Sequence, residues 1–512
     1  MKNKGFTLVE LISILTILGI IALITIPIMT KTIKKAEEKA LKEQKEVIIN
    51  AAKKYALDYV SELPIYDGDI YVIEVQELRN SIYLDDENII DPTTDKPLNG
   101  CVNVTYVSSK GNYKYEYTEE CNTYAASPVL DKNMLPVVYK NNRWETIGNT
   151  KWYDYNNKEW ANAVIVKDIS KYKKLDAGVE VLDDDIVAHF VWIPRFSYTI
   201  QKKNAQGEVT YGYNSTNINN PGSIDIKFTT KSTIDLGSGY YYGNTPSSYR
   251  TPDAFYQDVN QDNILDPEEQ LSGFWLGKFE TGYDQNHECA VSGSFSNCDI
   301  EHEEGIYIKS NKSSIRFLGF KNMFETALNL GKNYNLESPT RMMKNAEYGA
   351  ALYLSQSLFG RCTSKTSCTN IGMNNNSSFI TGGGDYKNNL NQSSNGNITG
   401  IFDLSGGCWE MTSSFLDGIL EKTGFDELPK AIYYDNYTST DSSKACNNDV
   451  CYGHALSETE GWFGTYHEFI LRVSRNGLTR GGDSLDSHTA FASAATGFFE
   501  NHDSFRIAIA VK

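Results

Sequence analysis

The sequence predicts an α+β chain: one long N-terminal helix with a small antiparallel sheet, then an irregular domain of short strands, few helices and many loops. Three observations predict it. An apolar run from Phe6 to Met29 passes directly into a stretch whose apolar residues recur at helical spacing. From about residue 187 the texture changes to short apolar segments broken by Gly- and Asn-rich loops. Eight of the nine cysteines fall into close pairs along the chain, as local cross-links in a loop-rich fold do.

At 512 residues the chain exceeds one ordinary domain. Lys and Arg total 48 against 65 Asp and Glu, a net charge of −17 that repels phosphate backbones and excludes general nucleic-acid binding. An aromatic content of 12% excludes the disordered class. Nearest-neighbour pairing in an oxidising compartment joins Cys101 with Cys121, Cys289 with Cys298, Cys362 with Cys368 and Cys446 with Cys451, and leaves Cys408 over. Reduced cytosolic thiols are the alternative, and the N-terminus weighs against it. No pair has the CxxC spacing of a zinc ribbon.

The first element carries the strongest signal. Lys2 and Lys4 precede the apolar run, which has the roughly 20 residues a helix needs to span a bilayer and a basic flank that stays cytoplasmic. No small-residue cleavage site follows the run, so the segment is retained. Glu10 lies inside it, and a carboxylate in a membrane calls for a partner. Lys4-Gly5-Phe6-Thr7-Leu8-Val9-Glu10 resembles the peptidase site of type IV prepilins and pseudopilins, with Pro27 at their helix-kinking position. The resemblance implies cleavage after Gly5, N-methylation of Phe6, and pairing of the new Phe6 amine with Glu10 of a neighbouring subunit during filament assembly. It also implies a prepilin peptidase and other pilin subunits as partners. The precursor would sit in the cytoplasmic membrane with its N-terminus inside, and the assembled form at the cell surface.

Beyond Met29, Ile33, Ala36, Ala40, Leu41, Val47, Ile48, Ala51, Tyr55 and Tyr59 continue the helical period, with Lys and Glu interleaved on the other face. One helix over about 6–62, stopped before Pro64, is expected. Its second half should pack on strands such as Ile70–Glu74 and Val102–Val107. The loop closed by Cys101 and Cys121 resembles the disulfide-bonded end of many pilins, which makes 6–125 a pilin-like domain behind a leader of residues 1–5. Residues 126–186, rich in Tyr, Trp, Asn and Lys, read as a β-rich connecting segment without chemistry of their own.

The last region, 187–512, contains strands at Phe190–Pro194 and Phe274–Glu280, a helical period over Arg341–Phe359, and three further blocks. These are GIFDLSGGCWEMT (400–412), TRGGD (479–483) and SFRIA (504–508). In this order the blocks resemble the formylglycine-generating enzyme, or sulfatase-modifying factor, superfamily, whose fold is a variant of the C-type lectin fold. The oxidase of that family uses a cysteine pair between its last two blocks. Residues 483–504 contain no cysteine, and thiolate chemistry has no substitute there, so no enzyme is expected. Family members without the cysteines resemble ligand-binding surface receptors. By that analogy Asp483, Asp486, His488, Phe491 and Phe499 are candidate contacts to an external host, glycan, protein or surface ligand. Cys408 reads as a small buried hydrophobe.

Asp258–Glu269 follows the twelve-residue EF-hand calcium loop. Asp258, Asn260, Asp262, Asp266 and Glu269 stand at ligand positions, and Ile264 supplies a carbonyl. Asn263 replaces the usual Gly and tolerates the left-handed turn. Hard oxygen ligands at this spacing suit Ca²⁺, in an isolated loop that stiffens the domain. Thr381–Asp385 lacks the Lys of a phosphate loop, and no HExxH occurs. The combined expectation is a minor or tip pilin-like surface protein displaying an adhesin or receptor domain. A structural pseudopilin of a secretion or competence system and a displayed oxidase are the alternatives, the latter set aside by the missing cysteines.

Overall fold

The computed structural model describes residues 7–58, 60, 63–80, 83–84, 89–94, 96–119, 121, 124–173, 175–200, 219–231, 234–235, 249–256, 264–283, 305–437, 455, 458–466, 477–485, 490–496 and 502–511. The chain forms two compact units, Met1–Asn122 and Thr123–Lys512. A long N-terminal helix followed by mostly β structure makes it α+β.

In the first unit, α1 runs over Leu8–Asp58, inside the expected 6–62. Thr7 starts it: its amide and hydroxyl both donate to Glu10 Oε2, at 2.9 and 2.8 Å, and its Oγ1 accepts from the Glu10 amide at 3.3 Å. This reciprocal cap satisfies amides that the first helical turn leaves open. The sheet has three antiparallel strands, β1 (Ile70–Glu74), β2 (Cys101–Val107) and β3 (Asn112–Thr118), with β2 central. The β2–β3 hairpin turns through Gly111, whose φ of 57° suits a residue without Cβ. Ile48, Ala52 and Tyr55 of α1 are buried against Ile73, Val102 and Val104. The Cys101–Cys121 disulfide ties the start of β2 to the chain just beyond β3.

The second unit is organised by a seven-stranded antiparallel sheet. Across it run Thr340–Met342, Ile507–Ile509, Gly273–Gly277, Ile186–Pro194, Asn162–Val166, Leu135–Lys140 and Arg143–Thr146. Ile186–Pro194 is buried along its whole length, as a near-continuous apolar strand covered on both faces must be. Residues 126–186 are therefore more than a connector, because they supply three strands of this sheet. Their tryptophans explain why. Trp144 Nε1 donates to Tyr386 Oη at 2.8 Å, and Trp160 Nε1 to the Phe359 carbonyl at 2.9 Å, so both rings serve the core of the larger unit.

The helical period expected over Arg341–Phe359 divides. Thr340–Met342 pairs with Ile507–Ile509 as an edge strand, and the helix covers only Asn345–Ser355. A second helix, Phe320–Asn333, buries Phe320, Met323, Phe324, Ala327 and Leu330, the i, i+3, i+4 pattern of a one-sided helix. Cys362 and Cys368 form a disulfide across a tight two-stranded ribbon.

Candidate functional site

The N-terminal motif is built on the first turns of α1. Gly5 and Phe6 lie outside the described residues. Glu10 does not: its carboxylate is held by Thr7 on an exposed helix end. From Leu8 to Leu23 the apolar side chains are exposed on every side of the helix, Leu8 by 73% and Leu23 by 77%. An all-round apolar helix is stable only when something surrounds it. Among the described residues no helix is long and apolar enough to cross a membrane. Residues 1–6 and the side chains of residues 24 and 26–28, which belong to the apolar run, are outside them.

The three C-terminal blocks meet in a second, four-stranded sheet. Trp409–Met411 pairs antiparallel with Gly477–Arg480 and parallel with Asp503–Phe505. Beneath them lies a buried charged cluster. Arg506 donates through Nε to Glu410 Oε2 at 2.9 Å and through Nη2 to Glu410 Oε1, while its Nη1 reaches the Gly277 carbonyl at 2.8 Å. Asp403 accepts from the Gly382 amide at 2.9 Å and from Asn374 Nδ2 at 3.0 Å. Glu280 accepts from the Cys408 amide at 2.8 Å and from Ser314 Oγ at 2.5 Å. Burial, then the Asp403 and Glu410 charges, pushes the Glu280 carboxyl well above its usual range. Cys408 is buried and outside any disulfide, and burial, then the Glu280 charge, pushes its thiol up. The cluster holds the motif strands together; it does not face solvent.

Of the candidate ligand contacts, Asp486, His488 and Phe499 lie outside the described residues. Asp483 and Phe491 are each 2% exposed and serve the interior. Asp483 Oδ2 stands 3.0 Å from His502 Nδ1, and its Oδ1 accepts from the Leu485 amide at 2.8 Å. Phe491 packs on Trp462 and Phe463, with ring centroids 5.6 and 5.3 Å away. Among the described residues, the large apolar side chains presented outward nearby are Leu485, 59% exposed, and Tyr466, 43% exposed, which sequence reasoning passed over. Both lie next to the motif blocks, yet only the fold reveals which side chains turn outward.

In the calcium loop, Asp258, Asn260 and Asp262 are outside the described residues. Ile264–Leu265 pairs with Ile234–Asp235, and Asp266 is exposed. Glu269 Oε2 accepts from the Asp266 amide at 3.3 Å, so the last ligand position is turned onto its own loop. Among the described residues no cluster of three His, Cys, Asp or Glu is placed to hold a metal.

The prokaryotic N-terminal methylation motif matches residues 1–26. The chain thus opens on a prepilin-type N-terminus of the kind that prepilin peptidase processes, and it is pilin-like there. No curated protein matches the chain. Among solved structures, Treponema denticola variable protein 1 aligns over 55% of this chain and 99% of its own length, at 11% identity and a TM-score of 0.24. A TM-score that low assigns no fold.

Proposed function

We propose that the chain is a minor or tip-located type IV pilin-like subunit whose second unit is displayed at the cell surface as a ligand-binding, non-enzymatic domain. The observation that carries this reading is the methylation motif at residues 1–26, whose helical part, Leu8–Leu23, is apolar and uncovered on every side. Lipid covers that half before assembly, and neighbouring copies of the same kind of helix cover it afterwards. Cleavage after Gly5 frees the Phe6 amine, a cation in apolar surroundings. Glu10 of the adjacent subunit neutralises it and fixes the stagger, because an unpaired charge there is costly. Among the described residues of one subunit Glu10 is held by Thr7, a contact that an incoming ammonium can outcompete.

The size of the second unit, Thr123–Lys512, favours a sparse or terminal position, since identical bulky units crowd a helical filament. The sequence blocks of 400–412, 479–483 and 504–508 support a formylglycine-generating-enzyme-like, C-type-lectin-like scaffold without its cysteines. Calcium at 258–269 belongs to the same reading as a stiffening ion. Titration calorimetry that detects no Ca²⁺ uptake would remove it. Gold labelling of the second unit on whole cells tests the display reading. Label at tips or at isolated points along filaments supports it, whereas label at every subunit contradicts it. A surface phenotype indifferent to the second unit favours the pseudopilin alternative.

A further inference from the structure

A cavity of about 530 Å³ lies in the second unit between the Val129–Lys132 segment, the Glu337–Pro339 turn and the chain's exit at Ala510–Val511. That volume is the scale of a small organic ligand. Its walls are mainly apolar, from Val129, Leu271, Ile432 and Val511. Lys132, paired with Glu337, lines it, and so do two buried cations, Arg341 and Lys344, each 5% exposed.

Both cations have donors to spare. Arg341 gives Nε, at 3.1 Å, and Nη2 to the same oxygen, Glu347 Oε1. Among the described residues its Nη1 has no hydrogen-bond partner. The Lys344 ammonium has one carboxylate contact, Asp435 Oδ1 at 3.3 Å, for its three hydrogens. Carboxylates near the two cations are engaged by other groups, and Glu269, which lines the cavity, takes the Asp266 amide at 3.3 Å. Glu347 Oε2 takes the Lys344 amide at 2.8 Å, and Asp435 Oδ2 the Ala346 amide at 2.8 Å. Asp131 takes the Ser338 amide at 2.7 Å, and Glu337 pairs with Lys132 at 2.7 Å. A carboxylate is a charge-assisted acceptor for both a guanidinium nitrogen and an ammonium.

We propose that this cavity binds a small amphipathic carboxylate, with its carboxylate on Arg341 Nη1 and Lys344 Nζ and its apolar body on Val129, Leu271, Ile432 and Val511. The site needs only the fold of the second unit and is independent of the display reading. The test is calorimetric titration of the full chain in nonionic detergent, with micelles alone as background. The probes are 4-phenylbutyrate and its neutral isostere 4-phenylbutyramide. Saturable binding of one carboxylate per chain is expected, about tenfold or more tighter than the amide. Lys344→Met should bring the carboxylate down to the amide's affinity. Ile432→Trp, a substitution on the half-buried wall, should fill the cavity and abolish binding of both probes with the thermal melt unchanged. The proposal is overturned if neither probe binds above the micelle background, if the two bind equally, or if a folded Ile432→Trp chain binds as before.

Discussion

The two halves of α1 follow opposite rules. From Leu8 to Leu23 the helix is apolar all round and uncovered all round. From Ile48 to Ala56 it is apolar on one face only, and that face is buried on the three-stranded sheet, with Ile48 and Ala52 fully enclosed. A one-sided pattern records a partner within the same subunit. An all-round pattern records a surrounding, which the described residues of this subunit do not supply. One continuous helix therefore belongs half to its own fold and half to an assembly, and substitutions in the two halves should fail in different ways.

The largest effect expected lies in the first half. Glu10→Ala should lower incorporation into surface filaments by about 100-fold or more, since it leaves a buried ammonium unpaired. Quantitative blotting of sheared surface fractions against membrane fractions reads this, with the membrane pool unchanged. Arg506→Ala in the second unit should destabilise that unit by about 3–5 kcal/mol, the cost of stranding the enclosed Glu410 carboxylate, and differential scanning calorimetry should show the second unit's transition alone moving. Ile48→Ala should cost the first unit about 2–5 kcal/mol through the cavity it opens. Leu15→Ala, in the exposed half, should leave both melting transitions in place and impair assembly only. If Leu15→Ala shifts the melt as Ile48→Ala does, the contrast between the two halves is wrong.

The smallest effect concerns pH. The Glu280 carboxyl is raised in the folded chain by burial and by the Asp403 and Glu410 charges. A raised acid holds its proton when folded and releases it when unfolded. Its contribution to stability is thus complete below the ordinary value of 4.5 and is lost as pH rises toward the raised folded value. Glu280→Gln, which carries no titrating proton, should flatten the decline in melting temperature of the second unit between pH 5 and 8. An unchanged slope would mean that Glu280 is ionised in the folded chain.

What the sequence made legible was local. The helix, the Ile70–Glu74 strand and the prepilin-type motif all depend on neighbours within a few tens of residues, and periodicity or spacing exposes such features directly. What stayed hidden depends on distant partners. The residues around Trp144 and Trp160 read as a linker because their rings are satisfied by Tyr386 and Phe359, more than a hundred residues away. Arg341 reads as helical until Ile507–Ile509 arrives to pair with its strand. Asp483 and Phe491 have the composition of a binding loop, but burial is decided by what folds over them: His502 beside one, Trp462 and Phe463 against the other. The Arg341–Lys344 cavity leaves no sequence signal, because its walls come from six separated stretches of chain.

The central claim is that the exposed half of α1 belongs to a processed, exported filament subunit. The most direct measurement is the intact mass of the protein in a sheared cell-surface fraction, with and without reduction and alkylation. The account predicts a mature chain beginning at methylated Phe6, with eight cysteines protected and Cys408 free. An uncleaved chain confined to membranes, or one with free thiols throughout, would contradict it.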